Sequence, residues 1–407
     1  MIALETQILE GLGRADTRAV RFTGVQVDSR RIVDGDLFVA VDRGADYLED
    51  AFAHGAAATL VPDDAFAALA KIGAAVRDRS SARIVGITGS MGKTSTKDIL
   101  AALCAPVART IAAEASFNNE IGVPLTLCRL EPDTEVCILE LAMRGFGQIA
   151  ELCRIARPEI GVVTNVGPVH LELVESLEGV VRAKSELIDA LPVSGTAVVP
   201  ADFPVEREDI DVVRVPVPGT NAVDGRTVVG GVSFNFTARH QAQNAATALG
   251  AFDALGLPRP THVDVDFSRW RGEETELPGG GLLINDAYNA NPVSMRAALS
   301  YLVDRAGDRR RVAILGDMAE LGRTGPMYHR QVGGDAAELG IDELLAVGEL
   351  ARGYLDGGVL GRWTANVHDA LHELDDVVRP GDAVLVKASR AMGLEAIAAA
   401  LTRVPAA

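Results

Sequence analysis

From Arg83 onward the chain alternates short apolar segments with amphipathic ones, and this alternation is the feature that most limits its fold. The apolar segments RIVGIT, VCILEL and IGVVTNV are continuous, and a helix-like segment follows each of them. Strands that are apolar on both faces are typical of a parallel sheet covered by helices on both sides. The sequence therefore predicts an α/β fold built around parallel sheets.

Two segments rich in charge or proline interrupt this alternation. RDRSS ends an N-terminal section in which GVQV, DLFVAV and ATLVP surround the helix-like LEDAFAHGA, and LPRPTH follows the helix-like HQAQNAATALGAFDALG. The alternation then resumes with LLINDA, RVAILG, ELLAVG and AVLVKA, as in doubly wound folds. We therefore predict three domains, namely a small N-terminal α/β domain over residues 1–82, a central parallel-sheet domain over 83–257 and a C-terminal Rossmann-like α/β domain over 258–407.

The stretch GITGSMGKTSTKDIL, residues 86–100, places a glycine loop between a strand and a helix. A phosphate cradle needs that order, although the usual G-x-x-x-x-G-K-[ST] spacing would require glycine where Ile87 stands. Backbone N–H groups of the helix would face the phosphates, Lys93 would reach the β and γ oxygens, and the Thr94 hydroxyl would bind Mg²⁺. The alternatives are a plain glycine turn with a solvated lysine, or a dinucleotide site, whose G-x-G-x-x-G pattern does not occur. We therefore predict that the central domain is a P-loop ATP-binding domain.

Composition excludes several other classes of protein. The formal net charge of −17 argues against a nucleic-acid surface, although a local pocket can still hold a small anion. The N-terminus lacks a signal-peptide pattern, and no window approaches the roughly 18 apolar residues of a membrane span. We therefore expect a cytoplasmic protein with no membrane partner. Its four cysteines show no metal-ligand spacing and are predicted to be buried free thiols: Cys104, Cys128, Cys137 and Cys153.

Two further strand ends carry candidate metal ligands. Glu140 closes VCILEL, and His170 follows IGVVTNV in the turn TNVGPVHLE. Ligands of parallel sheets gather at the carboxyl ends of strands, so both side chains could meet Mg²⁺ beside the loop. The alternatives are a surface or capping carboxylate and a hydrogen-bonded turn histidine. The pattern around Lys184, RAKSELIDAL, indicates an ordinary helix-surface lysine.

Taken together, the motifs resemble those of the Mur ligase family, in the family's order and over most of the chain. The matching segments are VDSR, GITGSMGKTSTKD, SFNNEIGVPLTL, LELAMRGFGQIAEL, TNVGPVHLE, RAKSELI, HQAQNAATAL, INDAYNANPVSM, AILGDMAELG and LVKASRAMGLE. The resemblance implies an enzyme that uses ATP to convert a carboxylate into an acyl phosphate, which an amine attacks through a tetrahedral intermediate. The shortened glycine loop is the family's own form of the motif.

The resemblance also implies roles for individual residues. The ATP-binding residues it implies are Gly89, Ser90, Met91, Gly92, Lys93, Thr94, Ser95, Asn244, Arg271 and Asp286. Two Mg²⁺ sites are implied, with ligands Thr94, Glu140, His170 and Lys184, the lysine as its CO₂ adduct, a carbamate. The implied catalytic residues are Lys93, His170, Lys184 and Arg271. Because Arg271 lies beyond the second interruption and Lys93 before it, we expect domain closure to complete the ATP site.

The implied substrates are a UDP-muramoyl-peptide and an amine, bound by a monomer. The substrate-binding residues implied are Ser29, Arg30, Asn118, Asn119, Asn289, Asn291, Ser389 and Arg390. Asp317, Glu320 and His329 are further candidates for choosing the amine. The alternative for Ser29 and Arg30 is an exposed turn, and for Asn118 and Asn119 it is stabilisation of a turn. For Asp317 and Glu320 the alternative is helix capping.

The choice of amine is also limited by motifs that are absent. The Asp-Asn-Pro-Arg and Tyr-Ala-His motifs of relatives that add a diamino acid do not occur, while YNANP and KASR do, which favours D-alanyl-D-alanine. A related amide ligase, such as a polyglutamate-adding enzyme, and a non-ligase P-loop ATPase are the alternatives. The chain also departs from the family's pattern: an Asp-Gly-His segment after DLFVAV is missing, and the region between Pro200 and Arg239 is short.

Overall fold

The computed structural model describes residues 1–114, 117–219, 221–223 and 225–403. The chain forms two compact units, each made of segments that are distant in sequence. The first unit consists of Met1–Asn165, Val181–Thr237 and Ala242–Asp266. The second unit consists of Val166–Val180, Ala238–Gln241 and Phe267–Ala407.

The N-terminal part of the first unit contains a small mixed sheet. Its strands and helices are β1 (Leu4–Glu5), β2 (Gly13–Thr17), β3 (Arg21–Phe22), β4 (Gly24–Gln26), β5 (Asp36–Val39), α1 (Leu48–Ala53), β6 (Ala58–Pro62) and α2 (Ala65–Arg77). The four-stranded sheet has the order β2-β6-β5-β4, with β2 antiparallel to β6 and the other pairs parallel. Helix α2 was not predicted; Asp64 caps it by accepting hydrogen bonds from the Phe66 and Ala67 N–H groups.

A six-stranded parallel sheet forms the centre of the first unit. The elements from Arg83 to Val215 are β7 (Arg83–Thr88), α3 (Lys93–Cys104), β8 (Thr110–Ala112), α4 (Gly122–Leu127), β9 (Val136–Glu140), α5 (Gln148–Ala156), β10 (Ile160–Val163), α6 (Leu171–Val174), α7 (Leu177–Asp189), β11 (Thr196–Pro200) and β12 (Asp211–Val215). Of these, α6 and the first turn of α7 belong to the second unit. The strand order is β12-β11-β10-β7-β9-β8, and every pair is parallel. All residues of β9 and β10 are buried, as expected for strands covered on both faces. The predicted parallel-sheet α/β class is confirmed.

The short region after β12 forms a separate four-stranded sheet that the sequence did not predict. It contains β13 (Asn221–Val223), β14 (Arg226–Val229), β15 (Val232–Phe234) and, after α8 (Arg239–Ala254), β16 (His262–Val263). The order is β13-β14-β15-β16, with antiparallel pairs except between β15 and β16. Residue His262 of the predicted linker LPRPTH therefore belongs to a strand of the first unit.

The second unit contains a Rossmann-like sheet. Its elements are β17 (Glu273–Leu277), β18 (Gly281–Asp286), α9 (Pro292–Ala306), β19 (Arg311–Gly316), α10 (Gly325–Glu338), β20 (Glu343–Val347), β21 (Gly361–Thr364), α11 (Val367–Val377), β22 (Ala383–Lys387) and α12 (Glu395–Thr402). The strand order is β17-β18-β22-β19-β20-β21, with β17 antiparallel at one edge and the others parallel. Separate apolar clusters lie on the two faces of this sheet, which places its polar residues at the strand ends.

The helices and the cysteines bear on two predictions made from the sequence. In the described part of the chain, no helix has the length and apolar character needed to cross a membrane. The four cysteines are buried and unpaired with one another, as predicted. Burial raises the pKa of each thiol to about 12, so these side chains behave as small apolar core residues.

Candidate active site

The glycine loop between β7 and α3 has a backbone that only glycine adopts at two positions. Gly89 has φ 148° and Gly92 has φ 76°. A Cβ atom on Gly89 would lie 1.8 Å from Oγ1 of Thr164, and one on Gly92 would lie 2.3 Å from Oδ1 of Asn244. The loop is therefore closely enclosed by neighbouring side chains, and the predicted nucleotide residue Asn244 is one of them.

Asn165, which the sequence analysis did not single out, holds the loop in shape. Its Oδ1 accepts a hydrogen bond from the Met91 N–H at 3.0 Å, and its Nδ2 donates to the Met91 carbonyl at 3.0 Å. The Thr164 hydroxyl donates to the same carbonyl at 2.5 Å, and the Ser90 N–H donates to the Asn165 carbonyl at 3.1 Å. The loop is thus fixed by protein contacts alone, which preorganises its remaining N–H groups.

Two lysines of the first unit differ in their environment. Lys93 begins α3, and its Nζ donates to the Gly89 carbonyl at 2.8 Å. Lys184 on α7 is 2% exposed, so the interpretation of an ordinary helix-surface lysine is wrong. Burial, and then the charge of Lys93, lower the pKa of Lys184 well below its usual value. Lys184 is consequently held towards its neutral form, the form of an amine that reacts with CO₂.

Two of the predicted Mg²⁺ ligands meet at the end of β9. Glu140 is 1% exposed, so the alternative of a surface carboxylate is wrong. Its Oε2 accepts from the Thr94 hydroxyl at 2.9 Å, and its Oε1 accepts from Nδ2 of Asn118 at 2.9 Å. A carboxylate and a hydroxyl are hard oxygen donors of the kind that bind Mg²⁺ while it keeps most of its water. Across the described residues, no group of three or more His, Cys, Asp or Glu side chains that could hold a metal is found.

The N-terminal substrate candidates make local contacts. Ser29 is 6% exposed, whereas the Arg30 guanidinium is mostly exposed and bonds the Asp28 carboxylate at 2.9 and 2.7 Å. These bonds from Arg30 lower the pKa of Asp28 to about 2. Oδ1 of Asn119 accepts from the Gly122 N–H at 3.0 Å, which stabilises the start of α4. Substrate contacts of Ser29, Arg30 and Asn119 therefore stay predictions.

In the second unit, the predicted nucleotide residues lie near the ends of β18 and β22. Oδ2 of Asp286 accepts from Nζ of Lys387 at 2.6 Å, and the same ammonium donates to the Asn289 carbonyl at 2.8 Å. The Arg271 guanidinium lies 3.9 Å from the centre of the Tyr288 ring. Sequence reasoning missed Lys387, although it ends a strand inside the quoted motif LVKASRAMGLE.

Several substrate candidates of the second unit have structural roles. The Asn291 side chain caps α9 by accepting from the Ser294 N–H at 2.9 Å. Oγ of Ser389 accepts from the Ala319 N–H at 2.9 Å. Arg390 pairs with Glu395 and lies 4.5 Å from the centre of the Trp270 ring. A direct substrate contact for Asn289, Asn291, Ser389 or Arg390 stays a prediction.

Of the further amine candidates, two are engaged within the second unit. Oδ1 of Asp317 accepts from the Ala351 N–H at 2.6 Å. His329 is fully buried; its Nε2 accepts from the Met318 N–H at 3.0 Å, and its Nδ1 donates to the Gly325 carbonyl at 2.7 Å. Burial lowers the pKa of His329. These bonds indicate that His329 supports the loop before α10 as a neutral ring.

His170 and Glu320 form a strained pair in the second unit. Both have left-handed backbones, with φ 53° and φ 63°. Nδ1 of His170 lies 2.6 Å from Oε2 of Glu320, close enough for an ion pair but without the alignment of a hydrogen bond. Left-handed backbone at residues other than glycine is costly and gathers at functional sites. A role for His170 as a metal ligand stays a prediction.

Comparison with known proteins identifies the family. Residues 87–252 match the Mur ligase middle domain, and residues 270–390 match the domain described as Mur ligase, glutamate ligase domain. The chain is 33% identical to the UDP-N-acetylmuramoyl-tripeptide–D-alanyl-D-alanine ligase of Synechocystis sp., over 94% of this chain and 92% of that protein. It is 37% identical to the ligase of that name from Mycobacterium tuberculosis, again over 94% and 92%. The chain belongs to the Mur ligase family, in its MurF group.

A solved MurF structure supports the same assignment. The crystal structure of MurF from Acinetobacter baumannii aligns with a TM-score of 0.84 and 26% sequence identity, covering 98% of this chain and 99% of that one. The three-domain α/β architecture expected of a Mur ligase is confirmed. A folylpolyglutamate synthase/dihydrofolate synthase from Yersinia pestis, at 19% identity and a TM-score of 0.58, shares the fold alone.

Proposed function

We propose that this Mur ligase joins D-alanyl-D-alanine to UDP-N-acetylmuramoyl-tripeptide at the expense of ATP, in the synthesis of peptidoglycan precursors. The observation that carries the proposal is its 33 to 37% identity, over nearly its whole length, to ligases of that name. YNANP and KASR at the acceptor end of the sequence support the same amine. An amide ligase with another carboxylate or amine is the second candidate, and a non-ligase ATPase is disfavoured by the match to both Mur ligase domains.

The first step joins a carboxylate oxygen of the peptide to the γ-phosphorus of ATP, and the bond to the β-phosphate oxygen breaks to release ADP. The loop from Gly89 to Gly92 supports this step because its bonds with Asn165 fix its shape, and the N–H groups that Asn165 does not engage would face the phosphates. We infer that Lys93 gives up its bond to the Gly89 carbonyl and turns to the β and γ oxygens. Arg271 would neutralise charge on the transferred phosphate.

Thr94 and Glu140 would hold Mg²⁺ beside the phosphates, since both side chains supply hard oxygens and already meet at 2.9 Å. When bound, the ion neutralises charge on the phosphate oxygens and orients them for in-line attack. Asn118 orients the carboxylate of Glu140 through its other oxygen, at 2.9 Å. We therefore propose that Asn118 both contacts the substrate and orients a metal ligand.

Lys184 would act as a carbamate. The neutral amine adds to CO₂ and releases a proton, which turns a cation that repels Mg²⁺ into an anionic oxygen ligand. The burial of Lys184 and the charge of Lys93 favour the neutral amine that this reaction requires. His170, with a strained backbone, is proposed as the other protein ligand of a second Mg²⁺ site.

In the second step the amine of D-alanyl-D-alanine attacks the acyl phosphate carbonyl. The tetrahedral intermediate then expels phosphate, and the amine loses a proton as the amide forms. Ser29, Arg30, Asn118 and Asn119 are proposed to bind the UDP-peptide. Asn289, Asn291, Ser389 and Arg390 are proposed to bind at the acceptor side, and Asn244 and Asp286 to bind adenosine.

We further propose that the enzyme is a cytoplasmic monomer with domains over residues 1–82, 83–257 and 258–407. The location follows from its soluble nucleotide substrates, and the domain limits follow from the two interruptions in the sequence pattern. Sedimentation at several protein concentrations tests the oligomeric state, with a mass that rises with concentration contradicting the monomer.

A product assay tests the reaction itself. The protein is mixed with ATP, Mg²⁺ and UDP-N-acetylmuramoyl-tripeptide, and products are followed by mass spectrometry with D-alanyl-D-alanine, D-alanine or L-glutamate as the amine. We expect condensation with the dipeptide, with one ADP and one phosphate formed per amide. Condensation with a single amino acid instead would favour the second candidate, and ATP hydrolysis without either substrate would refute a ligase.

A further inference from the structure

Lys387 is a buried lysine whose two neighbours both carry predicted ligand contacts. It ends β22 beside Asp286, which ends β18, and the two residues are partners in the parallel ladder. Lys387 is 2% exposed, and its Nζ donates to Oδ2 of Asp286 at 2.6 Å and to the Asn289 carbonyl at 2.8 Å. One ammonium therefore joins the end of a strand to the loop that leads into α9.

A buried ammonium is costly unless it is paired and hydrogen-bonded. An apolar side chain of similar length at the end of β22 would avoid that cost, so the lysine calls for a reason beyond packing. The pKa of His240 is also affected by the charge of Asp286. Burial lowers the pKa of His240 despite the opposing effect of Asp286, so the ring is neutral at pH 7 and Lys387 supplies the positive charge.

The Asp286 carboxylate has one oxygen engaged and one available. Oδ2 is held by Lys387, whereas Oδ1 makes no hydrogen bond with the part of the chain that the structure describes. The Asp286 side chain is 21% exposed, so a ligand can reach the carboxylate although most of it is shielded from bulk water. A carboxylate oriented in this way is suited to accept from a pair of neighbouring hydroxyl groups.

We propose that Lys387 is a positioning residue that orients Asp286 to accept hydrogen bonds from the 2′ and 3′ hydroxyls of a nucleotide ribose. The proposal rests on the proposed function, in which ATP is the nucleotide. Through the Asn289 carbonyl, the same ammonium fixes the loop between β18 and α9. Lys387 does not touch the ribose; it acts through the direction in which it holds the carboxylate.

The test compares ATP with 2′,3′-dideoxy-ATP, which lacks both hydroxyls, by calorimetric titration in the presence of Mg²⁺. The wild-type enzyme should bind ATP about tenfold or more tightly than the dideoxy nucleotide, because a site built to bond hydroxyls rejects an analogue without them. Lys387→Met should weaken ATP binding and leave dideoxy-ATP binding nearly unchanged, so that the preference falls to about twofold. Asp286→Asn should reduce the preference similarly, and adding Lys387→Met to it should reduce it no further.

The matched control is Arg310→Met, which removes a partly buried cation whose partner Asp382 precedes β22, at the opposite end of that strand from Lys387. That variant loses stability but should keep the wild-type preference for ATP. If Lys387→Met does not fold, it is replaced by the double variant of Lys387→Met and Asp286→Asn, in which no unpaired charge remains. The double variant should prefer ATP to dideoxy-ATP by only about twofold. A Lys387→Met or double variant with the wild-type preference would overturn the inference.

Failure of the inference is distinguishable from failure of the proposed function. A wild-type protein that binds ATP and makes the amide, but prefers ATP to dideoxy-ATP by less than about twofold, overturns the role of Lys387 and leaves the ligase standing. A protein that binds no ATP overturns both.

Discussion

Individual residues of the phosphate loop region act in pairs rather than alone. Thr94 and Glu140 lie on different elements, yet the hydroxyl and the carboxylate meet at 2.9 Å in a buried position. A hydrogen bond to a buried carboxylate orients it, and the same two oxygens are the proposed Mg²⁺ ligands. The pair therefore stabilises the local structure, and we propose that it also binds Mg²⁺.

Thr94→Val should keep the fold and lose the hydroxyl ligand. We expect kcat to fall by about 10- to 100-fold, with a higher Mg²⁺ concentration needed for half-maximal activity, because a metal ligand and the orienting bond to Glu140 are both lost. Initial rates over a Mg²⁺ series measure this. Thr96→Val on the same helix is the control, since the Thr96 hydroxyl is buried without a hydrogen-bond partner among the described residues. Equal losses in the two variants would argue against a metal role for Thr94.

Lys184 predicts a pH dependence of stability. Its pKa is lowered in the folded protein, so below the usual value of 10.5 the unfolded chain takes up a proton that the folded chain resists. In CO₂-free buffer, Lys184→Met should therefore unfold at a higher denaturant concentration than wild type at pH 7, and the gain should shrink as the pH rises towards 10.5. Lys71→Met, at an exposed lysine of α2, should show no such trend. A constant difference for Lys184→Met across the pH range would contradict the burial argument.

The burial of a single side chain and its local hydrogen bonds were harder to predict than the loop motif. The periodicity around Lys184 is that of a surface lysine, but burial depends on which helix face packs against the sheet, which a single helix pattern does not contain. Asn291 and Asn119 satisfy backbone N–H groups at helix starts, a role that the sequence analysis gave as an alternative only for Asn119. The loop, by contrast, was predictable because glycine, lysine and hydroxyl residues follow a strand in a fixed order.

At the scale of elements, the strand-loop-helix unit from β7 to α3 depends on backbone conformations that side chains resist. Gly92 combines a left-handed φ of 76° with the amide of Asn244 against its Cα. A substitution there meets both backbone strain and a close contact, whereas at Gly256 and several other left-handed glycines a Cβ would have nothing within 4 Å.

Gly92→Ala should weaken ATP binding by about tenfold or more, because the loop must shift to relieve the contact with Asn244. Gly256→Ala is the matched control: Gly256 has φ 68° with nothing within 4 Å, so it carries the strain alone, about 1–2 kcal/mol. Calorimetric titration with ATP and thermal unfolding separate the two effects. Unchanged ATP affinity in Gly92→Ala would show that the loop does not hold the phosphates.

Strands and helices were predictable where a single sequence pattern, such as a continuous apolar run, determined their structure. The continuous apolar strands β9 and β10 are buried at every residue, and β7 and β11 are buried except at end residues, so their pattern specified a parallel sheet. Helix α2 was not predicted from its sequence AFAALAKIGAAVR. Its many alanines give little contrast between an apolar and a polar helix face. The sheet of β13 to β16 was missed because its strands are only two to four residues long, and short pairs are specified by their neighbours rather than by pattern.

In the molecule as a whole, buried charged groups can be paired within their own unit, and the Arg310 network of the second unit is an example. In the second unit, Arg310 donates to Glu343 at 2.5 Å and to Asp382 at 3.1 and 2.8 Å, and both carboxylates are less than 10% exposed. This network ties β19, β20 and the start of β22 at one end of the sheet. Lys387 lies at the other end of β22, where the ligand contacts are proposed.

Arg310→Met should lower the stability of the second unit by about 3 kcal/mol, because two buried carboxylates lose their cation. The amides of β19, β20 and β22 should exchange hydrogen faster in the variant, while those of the parallel sheet in the first unit should be little changed. Exchange measured by mass spectrometry tests this. Equal acceleration in both units would show that they unfold as one body and not as two.

The proposed reaction requires that ATP held by residues 89–94 phosphorylates a carboxylate before the amide forms. The most direct measurement uses UDP-N-acetylmuramoyl-tripeptide with ¹⁸O in its terminal carboxyl group, together with ATP, Mg²⁺ and D-alanyl-D-alanine. If an acyl phosphate forms, each phosphate released with the amide product carries one ¹⁸O atom from the peptide. Phosphate without ¹⁸O, released alongside amide product, would contradict the claim.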